Sequence, residues 1–441
     1  MNFRKSVILI IILITSFFTV RYFNANLGLP FFNFSILLLI SIYLWSAVSD
    51  RIKVQKTFLK ISLTVLFWLP LVTVVIASII LLYSTLDDWP DFLRVYFVGG
   101  LFAYIFSLIF PLIFLFISDI IRWIQILLAS KKNSKNRKDP VQGNPISRKK
   151  FIVNTGLSLG GLALGTMGFG MLHGNYHFKI WHHKLSLSRV PDALKGLRIV
   201  QISDMHLGTW VSKVPLQEVV NYINELQADL VFFTGDLVNS QTSEAFAFAD
   251  TLAKIKSEHG IFASLGNHDY GHYHKWNSKS EEEKNWIDLI SFYNNIGWKL
   301  LRNENEKVII NGKEIQIIGV ENWSLNPRFP QIGDLNLAID RNANSDLNFL
   351  LSHDPTHWDQ KVKQFDLPID ITFSGHTHGF QFGIESELFR WSPAQYIYKH
   401  WAGIYKDDNK EKYLNVNRGI GAIGFPGRVG IRPEITLIEL T

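Results

Sequence analysis

A layered α/β domain carried behind a group of membrane-spanning helices is the fold class that this 441-residue sequence predicts. Three observations point to it. Long apolar runs fill the first 172 residues, short β-type runs alternating with helical stretches and turns fill the remainder, and all 14 histidines lie at His173 or beyond. The length also exceeds what one ordinary core sustains, so two or more units are expected.

The long apolar runs come first. A helix needs about 20 apolar residues to cross the hydrocarbon of a bilayer. Five segments qualify: 6–23, 31–48, 61–83, 95–117 and 151–172. Arg4 and Lys5 precede the first as they would in a signal peptide, but Arg21-Tyr22-Phe23-Asn24 offers no small-residue cleavage site, so an anchor is expected. Segment 119–130 either lies on the membrane surface or extends the fourth span. The first four spans carry almost no intramembrane charge, which leaves anchoring and assembly as their expected role.

Positive charge in the connections orients the spans. Arg4 and Lys5 lie before the first; Arg51, Lys53, Lys56 and Lys60 follow the second; nine Lys and Arg residues between Arg122 and Lys150 separate the fourth from the fifth. This pattern predicts a cytoplasmic amino terminus and an external chain beyond the fifth span, as in a multi-pass protein of the bacterial cytoplasmic membrane. The expected plan is a four-helix transmembrane region 1–130, a basic cytoplasmic linker 131–150 containing Pro140, Gly143 and Pro145, a fifth anchor 151–173, and a second domain 174–441. The stretch Ser147-Arg148-Lys149-Lys150-Phe151 resembles a twin-arginine export signal with lysine in the second position; positive-inside anchoring accounts for the same charges.

Charge divides at the same place. Residues 1–173 hold 17 basic and 6 acidic side chains, and the totals of 44 and 38 leave 27 basic and 32 acidic for the remainder. The overall +6 therefore belongs to the membrane part, and the rest is mildly acidic. An acidic domain is a poor polyanion binder, so no specific nucleic-acid partner is expected. The chain has no cysteine, which excludes disulfides, thiolate ligands and cysteine nucleophiles.

In the second half, strands are expected at 177–187, 197–202, 230–234, 260–265, 314–320, 347–352, 369–374, 412–417 and 435–440, with helices at 215–227 and around 281–295. Five polar clusters sit just past these strands: Asp204-Met205-His206, Gly235-Asp236, Gly266-Asn267-His268-Asp269, Ser352-His353-Asp354 and Gly375-His376-Thr377-His378-Gly379. Loops at strand carboxyl ends converge in α/β sheets, which predicts that the five meet. Residues two apart in extended chain share a face. Asp204 and His206 would then address one metal, His376 and His378 two neighbouring ions, and Asp236 both. Oxygen and imidazole donors without sulfur suit Mn, Fe, Zn or similar ions. Two such ions would activate a shared water for attack on a phosphate ester.

In this ordered set the sequence resembles the calcineurin-like metallophosphoesterases, and in detail their bacterial membrane-anchored phosphohydrolase branch. The likeness spans roughly the last 250 residues and includes Asn417-Arg418-Gly419-Ile420-Gly421 and Arg432-Pro433-Glu434-Ile435. The resemblance implies a four-layer αββα sandwich with two divalent metals. By it the first metal takes Asp204, His206, Asp236 and His378, and the second takes Asp236, Asn267, His353 and His376. It implies that His268 contacts the phosphate and assists the leaving group, with Asp269 able to orient the imidazole. Phe380 stands where this branch commonly has glycine and would reshape the pocket mouth; Asn322 stands where aspartate is frequent.

Other side chains carry two readings each. His272 and His274 line a substrate pocket or are loop polarity. Arg302 grips a phosphate or pairs with Glu304 or Glu306. Trp391, Tyr396, Tyr398, Trp401 and Tyr405 form a lipid- or substrate-facing rim, or pack under a long loop. The function expected is a membrane-anchored, metal-dependent phosphoesterase, of the phosphodiesterase type, acting by a metal-bridging hydroxide on an envelope- or lipid-associated phosphodiester or phosphomonoester. The alternatives are a non-catalytic metal-binding scaffold or sensor, and a pyrophosphatase of a lipid-linked nucleotide.

Overall fold

The computed structural model describes residues 25–81, 89–129, 148–386, 389–407 and 411–441. The expected span 6–23 and all but the last three residues of the expected linker 131–150 lie outside these. The chain divides into two compact units, Met1–Thr166 and Met167–Thr441.

Four long helices appear where apolar runs predict them: Ala25–Lys53, Thr57–Ile80, Asp91–Ala129 and Arg148–Leu172. All four are long and apolar enough to cross a membrane. Helix Asp91–Ala129 runs unbroken past residue 117, so the part of segment 119–130 that is described extends the fourth span. Within the first unit, Gly156 and Gly160 let the last helix approach the third closely. A methyl group at Gly156 would stand 2.6 Å from Phe114 Cβ, and one at Gly160 2.9 Å from Pro111 Cδ. Small residues four apart are a common means of packing helices where lipid removes the hydrophobic drive.

The second unit is a sandwich of two six-stranded sheets. Strands β1 (Lys179–Leu185), β2 (Arg198–Ile202), β3 (Leu230–Phe233), β4 (Ile261–Ala263), β5 (Lys299–Leu300) and β14 (Glu434–Leu440) form the first, in the order β1-β14-β2-β3-β4-β5. Strands β6 (Glu304–Ile310), β7 (Lys313–Gly319), β8 (Leu347–Leu351), β9 (Ile371–Ser374), β12 (Gly403–Lys406) and β13 (Tyr413–Val416) form the second, in the order β12-β13-β9-β8-β7-β6. A two-stranded hairpin of β10 (Ile384–Glu385) and β11 (Arg390–Trp391) stands apart. Strands β2, β3 and β4 run parallel, as do β7, β8, β9 and β13.

Alternation along the strands builds the layers. Ile199, Phe232, Phe349 and Phe373 face a core shared by both sheets. Their neighbours Val200, Val231 and Phe233 pack outward with Leu216, Val219 and Val220 of helix Val214–Glu225 and Leu289 and Phe292 of helix Lys279–Asn295. On the far side, Ile318, Leu350 and Leu414 pack with Trp358 and Val362. Strands buried on both faces are apolar throughout, which is why β3 reads Leu-Val-Phe-Phe. The four layers are therefore αββα, and the parallel strands β2, β3, β4, β8 and β9 deliver their carboxyl ends to one rim.

Candidate metal centre

At that rim the five polar clusters meet. Asp204 and His206 follow β2, Asp236 follows β3, Asn267 and His268 follow β4, His353 follows β8, and His376 and His378 follow β9. Adjacent loops are bonded to one another. The Asp204 amide donates to Gly235 O at 2.9 Å, the His206 amide to Asp236 O at 3.1 Å, and the Gly375 amide to His353 O at 2.8 Å. The His376 amide donates to Asp204 Oδ1 at 3.0 Å, and the His268 amide to Asp236 Oδ1 at 2.8 Å. The loops crowd so tightly that a methyl group at Gly266 would stand 2.2 Å from Asp236 Oδ1, and one at Gly375 2.0 Å from Ser203 Oγ.

The loops are turns, not the extended chain that residue alternation suggested. Asp204, His206, Asp236, His376 and His378 all have φ between +46° and +71°. Such conformations cost non-glycine residues on the order of 1 kcal/mol or more each and persist only where surroundings impose them.

Two groups of donor atoms result. Asp204, His206 and His378 offer ligand atoms within 4.8 Å of one another, and so do Asp236, His353 and His376. In the first group His206 Nε2 and His378 Nε2 face each other at 3.0 Å, and Asp204 Oδ1 lies 3.3 Å from His378 Nε2. In the second, His353 Nε2 lies 3.1 Å from Asp236 Oδ2 and 3.3 Å from His376 Nδ1. Asp236 Oδ2 also lies 3.5 Å from His206 Nε2, so one oxygen adjoins both groups. Asn267 Oδ1 is buried without a hydrogen-bond partner, while its Nδ2 donates to Tyr273 Oη at 2.9 Å. An unpartnered buried acceptor and converging imidazole nitrogens fit divalent cations better than they fit a core.

Tautomers follow from the outer contacts. His353 Nδ1 donates to Thr234 O at 2.7 Å, which leaves the Nε2 lone pair facing the centre beside Asp236. His206 Nδ1 lies 3.1 Å from Asn239 Oδ1, an acceptor, with the same result. His376 is turned the other way: Nε2 lies 3.0 Å from Tyr398 Oη and 3.4 Å from Asp354 Oδ2, so Nδ1 faces the centre. Burial disfavours the Asp204 carboxylate, but His378 and His353 outweigh it and hold the group at about 2. Burial likewise opposes a charged His353, yet Asp236 and Asp204 raise it to about 10. The carboxylates thus draw onto His353 a proton that a bound cation would displace.

His268 is half-buried beside the first group. Its ring lies 4.9 Å from that of His206 and stacks on Tyr273 at 4.2 Å. Nδ1 donates to Asn239 O at 2.6 Å, leaving Nε2 available to a substrate. The expected orienting role of Asp269 is not what the structure shows. Its carboxylate accepts the amides of Asp236, Leu237 and Gly266 at 2.9, 2.8 and 2.8 Å, tying the loops after β3 and β4 together. Burial, with the Asp236 charge adding, pushes its carboxyl up to about 7 against those amides. The group that fixes the His268 ring is the Asn239 carbonyl.

Several expectations away from the ligands also change. Arg302 donates to Glu321 at 2.8 Å, not to Glu304 or Glu306, and lies over Trp286. His272 stacks on Tyr270 and borders a cavity of about 590 Å³ lined also by Trp286, Arg302 and Glu321. His274 packs on Trp276. Phe380 is exposed, with φ +52°. Sequence reasoning gave no role to Asn239, Asp354 or Arg428. Arg428 is buried and donates to the carbonyls of Arg418, Gly419 and Gly421, with burial lowering it to about 9. Asp354 adjoins His353 in sequence, which was the available signal; Asn239, three residues past Asp236, had none.

Known proteins resemble this chain along both of its parts. Residues 197–380 match the calcineurin-like phosphoesterase family, and residues 27–175 match the family described as a probable calcineurin-like phosphoesterase transmembrane domain. An uncharacterized metallophosphoesterase of Bacillus subtilis, YkuE, is 30% identical over 308 residues, covering 67% of this chain and 98% of that protein. A zebrafish (Danio rerio) transmembrane protein with a metallophosphoesterase domain is 28% identical over 419 residues, covering 92% of this chain and 87% of its own. Phosphodiesterase YaeI of Escherichia coli is 25% identical over 301 residues, with 67% and 99% covered.

Proposed function

Because the chain belongs to the calcineurin-like metallophosphoesterase family, we propose that it is a membrane-anchored hydrolase of phosphodiesters or phosphomonoesters. The observation that carries this is Asp236 Oδ2 adjoining both groups, 3.5 Å from His206 Nε2 and 3.1 Å from His353 Nε2. In this reading Asp204, His206, Asp236 and His378 hold one divalent cation, and Asp236, Asn267, His353 and His376 hold the other. Two cations held there would supply an activated water and offset the charge that develops on the phosphoryl oxygens. His268, with Nδ1 committed to Asn239 O, would bind the phosphoryl group and deliver a proton to the departing oxygen from Nε2. Asp269 fixes the loops that carry Asp236 and His268, and His272 borders a side pocket for the rest of the substrate.

The charge pattern supports a catalytic unit outside a bacterial cytoplasmic membrane, with the division near residue 173 and an envelope- or lipid-associated phosphoester as substrate. The test uses the full chain in detergent, loaded with Mn²⁺, Zn²⁺ or Fe²⁺ and given an aryl phosphodiester and an aryl phosphomonoester. Turnover with two metals per chain is expected. Two bound metals and no turnover of either ester would favour a scaffold instead.

A further inference from the structure

Among the described residues of the second unit, one group of large apolar side chains stands exposed together. It is made by the β10–β11 hairpin and the short helical turn that follows it. Ile384, Phe389, Tyr396 and Ile397 are each more than half exposed, and Phe382 is exposed beside them. Contacts make these one patch: Ile384 pairs with Trp391, the Phe382 and Trp391 rings lie 6.4 Å apart, and Trp391 Nε1 donates to Tyr396 Oη at 3.3 Å. The hairpin is held in this attitude from within. Glu385, next to Ile384, forms an ion pair with the buried Arg418. Patches of this kind on a soluble surface mark interaction sites.

Its position says what covers it. Phe382 bridges to Val429, and the Gly383 and Val429 amides bond to Val429 O and Gln381 O. Arg428, the preceding residue, donates its amide to Gly170 O at 3.1 Å in the last turns of helix Arg148–Leu172. Methyl groups at Gly170 and Gly174 would stand 2.8 and 2.0 Å from Arg428 O, so backbone rests on backbone there. That helix is a candidate membrane span, and its final residues Phe169 and Leu172 are themselves exposed and apolar. The end of a span lies at the bilayer interface, where Trp and Tyr rings and basic side chains are favoured. Arg390 and Lys399 are exposed next to the patch.

We propose that this patch seats in the lipid interface beside the end of the span. The candidate centre then opens at the membrane surface, and its substrate is a phosphoester in a lipid headgroup. The connection to the centre is direct. Ser392 Oγ donates to Gly379 O at 2.7 Å, next to His378, and Tyr398 Oη contacts His376. The substrate part of this inference rests on the hydrolase reading above; the docking part does not.

The chain contains no cysteine, so single cysteines can be introduced without background. Full-length Phe389→Cys and Ile397→Cys, nitroxide-labelled in nanodiscs containing anionic lipid, should be accessible to oxygen and shielded from a water-soluble nickel chelate. Glu283→Cys, on helix Lys279–Asn295, should show the reverse. Nickel accessibility at 389 and 397 equal to that at 283 would overturn the docking; the same shielding in detergent-free oligomers lacking lipid would assign the patch to protein association and also overturn it. In the second arm, Phe389→Ser/Ile397→Ser should hydrolyse a phosphodiester presented in vesicles at least about tenfold more slowly, the scale of losing one of the two apolar side chains from lipid. Its rate on a soluble aryl phosphodiester should be unchanged. Equal loss on both substrates would overturn the lipid-substrate claim, whereas wild-type inactivity on both would instead sink the hydrolase reading and leave the labelling result standing.

Discussion

Asp204, His206 and His378 on one side of the centre, and Asp236, His353 and His376 on the other, use the same side-chain types but are supported in different ways. In the first group all three are buried, and His206 rests on Asn239, a residue of the neighbouring loop. In the second, His353 is buried against Thr234 O, but His376 reaches outward to Tyr398 and to the edge of Phe329. Both of those come from long loops, and Tyr398 adjoins the exposed hairpin region. Identical donor chemistry therefore comes with different outer support, although the His376 and His378 side chains are almost equally buried, at 6% and 4% exposure. The first group should hold its cation the longer, and the second should be the one that exchanges.

The largest expected effect would erase the contrast. Asp236→Asn removes charge from the oxygen adjoining both groups, and turnover should fall by about a thousandfold, the upper scale for one principal electrostatic element. Metal analysis should show less bound metal than in any variant of a single group; full occupancy would remove Asp236 from its bridging place. The contrast itself is tested by His206→Ala against His376→Ala. Each should lose one metal, and the ion that remains should resist chelator longer in His376→Ala. Equal chelation rates would make the two halves equivalent.

A smaller effect isolates the outward support. Tyr398→Phe removes the oxygen 3.0 Å from His376 Nε2 and should weaken the second metal by about tenfold, the lower scale for outer contacts of a metal ligand. An unchanged affinity by calorimetry would make Tyr398 a packing residue only. The last change is graded with pH. Asp236 and Asp204 raise His353 to about 10, so a cation must displace its proton below that pH. Affinity for the second metal should rise as pH rises, by up to about tenfold per unit for one proton displaced. Calorimetry in buffers of different ionisation enthalpy counts that proton; none released would contradict the assigned protonation.

The convergence of the candidate ligands was legible because each cluster is local in sequence and follows a strand whose residues are apolar on both faces, as in Leu230–Phe233. The supports were not legible, since Tyr398 meets His376 across 22 positions through a loop of no regular period. Asp269 was misassigned for a related reason. Adjacency to His268 suggested contact, but the turn sends its carboxylate to the amides of Gly266 and the β3 loop. Strand β6 was missed although a signal existed. Asn311-Gly312, both with positive φ, form the tight turn to β7, and such a pair between apolar stretches marks a hairpin. The polar start of β6, Glu-Asn-Glu-Lys, hid an edge strand.

The left-handed ligand turns carry one more consequence. Five side chains held in unfavourable backbone wells, with their carboxylates packed together, store conformational energy that a cation's charge can offset. Stripping the metals with a chelator should therefore lower the melting temperature of the sandwich and speed amide hydrogen exchange first in these turns, well before the strands behind them loosen.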